Sequence, residues 1–353
     1  MKMSQPIRIG IAGIGRAGWG MHCEELKGKE ELFRIQAACD ILEDRREKMR
    51  ERYGCKAYAR IEDLIRDPDV ELVDIATRSC DHYRHAMMAL EAGKDVLLEK
   101  PMCRTYQEAL ALKEAGSRPG GPRLFIRHNR RFEDHFQAIL KLMDNDRIGD
   151  IFEIKITRNS FQFRDDWQTI REFGGGQLLN WGPHIIDQSL RLLGSPVARM
   201  FSDLKHVAAG GDCEDHIKIL FQGENGRLVD MEISGGAAAK SPEYLVYGTR
   251  GSMAANGAER TIRFIDPEQQ LPEIHSDPGT PGATFGSAVA RAADGSPIRW
   301  LEETADNSAE DLTVIWRHLY AAVREGQPYP ISLDEAVSVM EVVSRVKEGT
   351  CFA

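Results

Sequence analysis

Lys100 follows the apolar run Asp95-Val96-Leu97-Leu98 and sits between Glu99 and Pro101. A proline disfavours helix at the residue before it, so Lys100 is held extended and its ammonium can be aimed. That places a cation at the carboxyl end of a strand, the edge where open α/β sheets bind ligands and where developing negative charge can be stabilised. A lone lysine there is also compatible with a plain solvated charge. A second group is Asn180-Trp181-Gly182-Pro183-His184, preceded by Gly174-Gly175-Gly176 and followed by Ile185-Ile186-Asp187. Pro183 suits the first turn of a helix, and Asn180 or Gly182 can cap it. His184 then lies near a helix N-terminus, where the dipole disfavours the imidazolium and leaves a neutral ring able to accept a proton. Asn180, His184 and Gln188 are four apart and share one face if the helix includes Asn180. Taken alone, a histidine in this position is more often a structural residue.

The third group is Gly13-Ile14-Gly15-Arg16-Ala17-Gly18, a G-x-G-x-x-G spacing directly after an apolar run. Gly13 permits the tight turn, Gly15 lets backbone approach a pyrophosphate, and Gly18 lets helix and strand pack closely. Phosphates would sit on amides at the start of the next helix, which makes Gly13, Gly15, Arg16 and Ala17 the candidate contacts. The bare motif also fits a glycine-rich turn without a ligand. Asp40, 22 positions beyond Gly18, stands near where an acidic residue bonds the adenine-ribose 2′-hydroxyl. A carboxylate there repels a 2′-phosphate, so NAD is preferred to NADP, although Arg45 and Arg46 leave room for a phosphate.

These residues need elements to hold them. Up to position 126, β-branched runs alternate with helical patterns, as in a parallel sheet built from strand-helix-strand units. Ile7 to Ala12, Phe33 to Cys39, Leu72 to Ala76, Asp95 to Leu98 and Arg123 to Arg127 read as strands. Ala17 to Lys27, Leu42 to Tyr53 and His82 to Ala92 read as helices. Beyond a boundary near Arg127 the pattern changes: a helix from Asp134 to Met143, a strand from Asp150 to Ile156 and a helix from Pro183 to Leu193 precede further strands. Those strands are His216 to Phe221, Arg227 to Ile233 and Glu243 to Tyr247, and their succession suggests a mixed or antiparallel sheet covered on one face. Asp277 to Pro297 reads as a long surface loop, and Leu312 to Glu325 and Leu333 to Lys347 as closing helices. The expected fold class is therefore α/β, with a doubly wound parallel sheet over residues 1–126 and an α+β domain with an open, largely antiparallel mixed sheet over 127–353.

Composition bounds the rest. The 353 residues are 42% hydrophobic and 29% charged, with 46 basic against 55 acidic side chains and a net charge of −9. Two domains of ordinary size are expected. An acidic balance with interspersed charges argues against nucleic-acid binding and against an anionic membrane surface. No run approaches the ~20 apolar residues of a membrane span, and a cytoplasmic protein is expected. The seven cysteines are scattered and form no C-x-x-C pair, so reduced thiols are expected rather than a disulfide framework or zinc site. Asp212-Cys213-Glu214-Asp215-His216 has metal-ligand residue types without a ligand spacing, so it reads as a turn, and no metal is expected.

The combination of Gly13-x-Gly15-x-x-Gly18, Thr77 to His82 ahead of Ala92-Gly93-Lys94, Glu99-Lys100-Pro101, Asn129-Arg130-Arg131-Phe132, the Gly174 to Asp187 block and the Pro328 to Val343 segment resembles the Gfo/Idh/MocA oxidoreductases. The resemblance implies an N-terminal Rossmann domain and a C-terminal domain whose open sheet carries substrate on one side and supports oligomer contacts, a dimer or tetramer, on the other. It implies hydride transfer between a secondary alcohol of a sugar or cyclitol and nicotinamide. Lys100 matches the family lysine and His184 the family base. Thr77, Arg78, His82 and Glu99 match the segments around the cofactor. Two departures stand out: Asn180 replaces the aspartate many members carry four residues before the histidine, and Arg78 replaces a proline. Arg127, His128, Asn129 and Arg130 face the cleft in the family, and Arg158, Arg164, Asp165 and Trp167 fall in or after the first C-domain strand. They are substrate candidates because guanidinium groups bind hydroxyls and an indole covers the apolar face of a sugar ring.

Three functions follow as expectations. The first is an NAD-dependent dehydrogenase of a ring secondary alcohol, with His184 as base, Lys100 assisting and Asn180 beside them; the substrate is a sugar, a cyclitol, or a glycoside oxidised at C3. The second is a glycosidase acting by transient oxidation and elimination on a bound NAD. The third is a regulator that keeps the fold without the chemistry.

Overall fold

The computed structural model describes residues 5–273, 279, 291–306 and 312–353. β1 (Ile7–Ala12), β2 (Phe33–Cys39), β3 (Lys56–Tyr58), β4 (Leu72–Ile75), β5 (Asp95–Leu98) and β6 (Leu124–Ile126) form one parallel sheet in the order β3-β2-β1-β4-β5-β6. Ile7, Ile9, Ile11 and Ala12 are fully buried, as expected of a strand covered on both faces. The order reverses between β1 and β4, so the loops after these two strands open a crevice at the carboxyl edge.

The helices between these strands are α1 (Cys23–Glu25), α2 (Glu43–Tyr53), α3 (Ile61–Arg66), α4 (His82–Glu91) and α5 (Tyr106–Gly116). The first helix differs from the regular one expected over 17–27. Gly18–His22 is a π-helical turn in which Ala17 O accepts from both Met21 N (3.1 Å) and His22 N (2.9 Å) before α1 begins. The extra residue turns His22 inward, where it is fully buried. α5, absent from the sequence reading, opens on a capping box in which Thr105 and Glu108 satisfy each other's amides.

The second sheet has eight strands in the order β14-β13-β12-β11-β7-β10-β9-β8, with β7 (Ile151–Asn159) and β10 (Leu228–Ser234) parallel and all other pairs antiparallel. Its remaining members are β8 (Val197–Lys205), β9 (His216–Gly223), β11 (Tyr244–Gly248), β12 (Gly251–Asn256), β13 (Glu259–Ile265) and β14 (Trp300–Asp306). In β9, Ile217, Ile219 and Phe221 point into the core, each worth about 1.5–3 kcal/mol of burial. α6 (Asp134–Met143), α7 (Gln177–Asn180) and α8 (Gly182–Leu193) belong to this half, and α8 lies against β10, β9 and β7. β8 and β12 to β14 go beyond the strands expected from the sequence. β8 buries no residue completely, so it shows no apolar alternation to read.

The α/β class and the two-sheet organisation agree with expectation. α9 (Val314–Tyr320) and α10 (Leu333–Lys347) return to the first half, α10 packing on α5 and Trp316 of α9 against Phe33. Most of the expected 277–297 loop lies outside the described residues; its end closes with a bridge between Arg291 and Pro297. Among the described residues no helix is long and apolar enough to cross a membrane.

Candidate active site

The glycine turn is built by close backbone approach. Gly13 has φ +92°, and a Cβ there would lie 2.5 Å from Ala76 O, directly after β4 on the far side of the crevice. A Cβ on Gly18 would lie 2.0 Å from Gly13 O, whereas a Cβ on Gly15 would meet Nη1 of Arg45 at 3.6 Å and nothing nearer among the described residues. The turn is therefore tight beneath and open above. Among the described residues the amides of Gly15, Arg16 and Ala17 donate to no protein acceptor, which suits an anionic ligand at the start of a helix. These residues fit the pyrophosphate of a dinucleotide.

Asp40 closes this end. Its Oδ2 accepts from Ile14 N (2.8 Å) and Arg45 Nη1 (3.2 Å), and its Oδ1 accepts from Leu42 N (2.9 Å). The carboxylate that favours NAD on sequence grounds is thus already engaged by a guanidinium.

At the other end, β4 and β5 deliver their loops side by side. His82 faces Pro101 O through Nδ1 (2.7 Å) and Thr77 O through Nε2 (3.1 Å), tying the two loops together. Burial lowers its pKa. Thr77 Oγ1 is bonded to His85 Nδ1 (3.1 Å), and Arg78 lies over the Phe173 ring at 4.7 Å. The Lys100–Pro101 peptide is cis. Lys100 donates from Nζ to Asn180 O (2.9 Å), joining β5 to the end of α7 across the two halves. Burial lowers the Lys100 pKa against the pull of Glu99.

Glu99 is held from beneath by groups that no sequence spacing indicated. Its Oε1 meets His22 Nε2 (2.9 Å) and accepts from Arg127 Nη1 (2.9 Å), while His22 Nδ1 meets Asp74 Oδ2 at 2.7 Å. Arg127 also pairs with Glu25, which accepts from Trp316 Nε1 (2.7 Å). Burial opposes charge on His22, but Asp74 and Glu99 outweigh it and raise its pKa to about 9. Glu99 likewise stays well below the usual carboxylate range: burial opposes its charge, and Arg127 and His22 prevail. Arg127, placed in the cleft by resemblance, is instead 1% exposed within this buried network.

His184, in the first turn of α8, is 6% exposed, and its Nδ1 has no partner among the described residues. Trp181, between α7 and α8, stands edge-on to its ring at 6.2 Å and His128 at 6.3 Å, and His128 Nδ1 likewise has no partner among the described residues. Burial, then Lys100, His128 and Arg130, hold the His184 pKa well below its ordinary value, so the ring is neutral. Burial likewise lowers that of His128. α8 is fixed by Arg131, which donates to Asp187 from Nε (2.7 Å) and Nη2 (2.6 Å). The Asn180 side chain turns away to accept from Gln168 Nε2 at 3.4 Å.

Lys100, Asn180, His184, His128 and Arg130 therefore converge. Arg130 lies over Trp181 at 4.9 Å and pairs with Glu133. Arg158 is set behind, bonded to Glu133 (3.2 Å) and Tyr244 OH (2.7 Å). Arg164 pairs with Asp166 and Gln168 beside a small pocket whose lining includes Asn180, Gln177 and Glu214. Trp167 is half-buried on the turn that carries Gln168, and Asp165 is exposed. The Asp212 to His216 segment is a turn: Asp215 accepts from the amides of Val207, Ala208 and Ala209, and Glu214 from Leu178 N.

Known proteins resemble this chain over most of its length. Residues 7–122 match the oxidoreductase family with NAD-binding Rossmann fold named GFO_IDH_MocA, and residues 136–254 match the GFO/IDH/MocA C-terminal domain. A scyllo-inositol 2-dehydrogenase (NADP(+)), IolW of Bacillus subtilis, is 26% identical over 98% of this chain and 94% of its own. An uncharacterized oxidoreductase of Schizosaccharomyces pombe, C26H5.09c, is 31% identical over 78% of this chain and 76% of its own. The solved structure of the oxidoreductase yvaA from Bacillus subtilis superposes with a TM-score of 0.82 over 99% of this chain and 97% of that one, at 22% identity.

Proposed function

Since the chain belongs to the Gfo/Idh/MocA family of NAD(P)-dependent oxidoreductases, we propose that it is a dehydrogenase of a ring secondary alcohol in a cyclitol or sugar. A nicotinamide dinucleotide on the Gly13 to Gly18 turn supplies the hydride acceptor. The observation that carries the reading is the pairing of a buried neutral histidine, His184, whose Nδ1 has no partner among the described residues, with a half-buried lysine, Lys100, whose Nζ donates to a backbone carbonyl.

His184 takes the hydroxyl proton. Its neutrality at physiological pH fits a general base, and its helix-start position opposes protonation before substrate arrives. Lys100 stabilises negative charge developing on the same oxygen, an interaction strengthened where water is excluded. The buried bonds of Glu99 fix the strand end from which Lys100 projects. Asn180 is a positioning residue, since its carbonyl holds the ammonium. Gln168, Gln177 and Arg164 lie around Asn180 and carry donors and acceptors suited to further hydroxyls. The inositol dehydrogenase named among the relatives supports a cyclic polyol.

The test is reduction of nicotinamide followed at 340 nm across inositols, hexoses and glycosides. Turnover of at least one class is expected, with His184→Ala lowering kcat by about 10²–10⁴ while dinucleotide still binds. Turnover unchanged in His184→Ala refutes the assignment of the base.

A further inference from the structure

The residues that converge on His184 carry an unbalanced charge. Lys100 and Arg130 are cations, Asn180 is a neutral amide, and burial before all else keeps the rings of His184 and His128 neutral. The acids nearby are committed elsewhere: Glu99 to His22 and Arg127, and Asp187 to Arg131. Glu133 meets Arg130 through Oε1, while its Oε2 accepts from Arg158 (3.2 Å), Gln188 Nε2 (2.9 Å) and Tyr244 OH (3.1 Å). Among the described residues Arg130 has no other acid, and it donates to Glu133 from Nη1 alone, so the edge formed by Nε and Nη2 is unbonded. The side chain is 33% exposed, on the turn that follows β6 at the carboxyl edge of the parallel sheet. Its guanidinium lies over the Trp181 ring at 4.9 Å, and the same indole stands against the base at 6.2 Å.

We infer that the substrate is a ring polyol bearing a carboxylate, a uronic acid in the sugar series, and that the free edge of Arg130 grips this carboxylate while the reacting hydroxyl lies between Lys100 and His184. Two parallel N–H donors in one plane match the two oxygens of a carboxylate. The carboxylate supplies the negative charge that the surrounding side chains lack, and Glu133 keeps the guanidinium in place from its other side. A phosphate matches less well, since its second charge needs a further cation and Lys100 is engaged at the reacting oxygen. The inference rests on the dehydrogenase reading above and deepens it from a neutral ring alcohol to an acidic one.

The experiment follows nicotinamide reduction by the full chain with matched pairs, glucuronate against glucose and galacturonate against galactose, with glucose 6-phosphate and the inositols alongside. The wild type is expected to turn over the acid of at least one pair with kcat/KM at least about tenfold above its neutral partner, as a charge-assisted bond to the substrate requires. Arg130→Gln is expected to lower that ratio by about tenfold, with NADH binding as the check that the variant is folded; a smaller fall overturns the inference. The wild type alone can also refute it. Turnover of neutral sugars or inositols with a ratio below about tenfold in both pairs overturns the inference and leaves the dehydrogenase reading intact. So does a preference for glucose 6-phosphate over both uronates. No turnover of any of these compounds overturns the reading and the inference together.

Discussion

The buried His22 makes a prediction in which sign and size both follow from the structure. Its ring is fully buried between Asp74 and Glu99, with a pKa raised from 6.5 to about 9. Between those two values the folded chain holds a proton that the unfolded chain has lost, so stability falls as pH rises through that window. At about 1.4 kcal/mol per pH unit the full loss is roughly 3 kcal/mol. The contribution is complete below pH 6.5 and gone above about pH 9. Other buried histidines act with the opposite sign and in a different range. His82, His128 and His184 have lowered pKa values, so each favours folding less as pH drops below 6.5, where the unfolded ring binds the proton first. Cys23, Cys39 and Cys213 are pushed up by burial from 9.0 to about 12, so above about pH 9 they lower the stability of wild type and variant alike and leave the difference between the two unchanged. Stability should therefore peak near pH 6.5 to 7. The assay is urea unfolding of the wild type and His22→Gln at half-unit steps from pH 6 to 9.5. The variant leaves Asp74 and Glu99 buried against a neutral amide and should lose about 3–5 kcal/mol at pH 6.5, with most of the difference from wild type disappearing by pH 9.5. A difference that is constant with pH refutes the protonated His22, and a wild-type stability that rises from pH 7 to 9 refutes the sign.

Further outcomes follow from individual contacts. Arg131→Met strips the bidentate partner from Asp187, both side chains being almost wholly buried, and should cost about 3–5 kcal/mol in urea unfolding; a loss below about 1 kcal/mol would show the pair is dispensable. Gly18→Ala places a methyl 2.0 Å from Gly13 O and should weaken NADH binding by at least about tenfold, or about 1.4 kcal/mol, a result contradicted by an unchanged Kd. In the pH profile of kcat/KM, the acid limb that reports protonation of His184 should fall below pH 6.5, because burial and the cations Lys100 and Arg130 lower that pKa; a limb centred above pH 7 would mean another group is titrating.

Much of this architecture is legible in the sequence because it is locally encoded. The G-x-G-x-x-G turn needs glycine for reasons that act within a few residues, and strands buried on both faces announce themselves as apolar runs. Lys100 and His184 are legible for the same reason: one stands at a strand end before a proline, the other follows the proline that begins a helix. Strands without a buried face, such as β8, carry no such pattern. What surrounds the site residues depended on distant parts of the chain meeting. His22 acquires its charge from Asp74 and Glu99, which lie 52 and 77 positions away. Lys100 finds its anchor on a backbone carbonyl 80 positions away, at a residue whose side chain points elsewhere. Asp40 reads as a hydroxyl acceptor in the sequence, yet its side chain is drawn into a turn with Arg45. The type and spacing of residues determine which groups are present and which local backbone they favour. Burial and partnership set their charge and free donors, and both depend on contacts made only when the chain is folded.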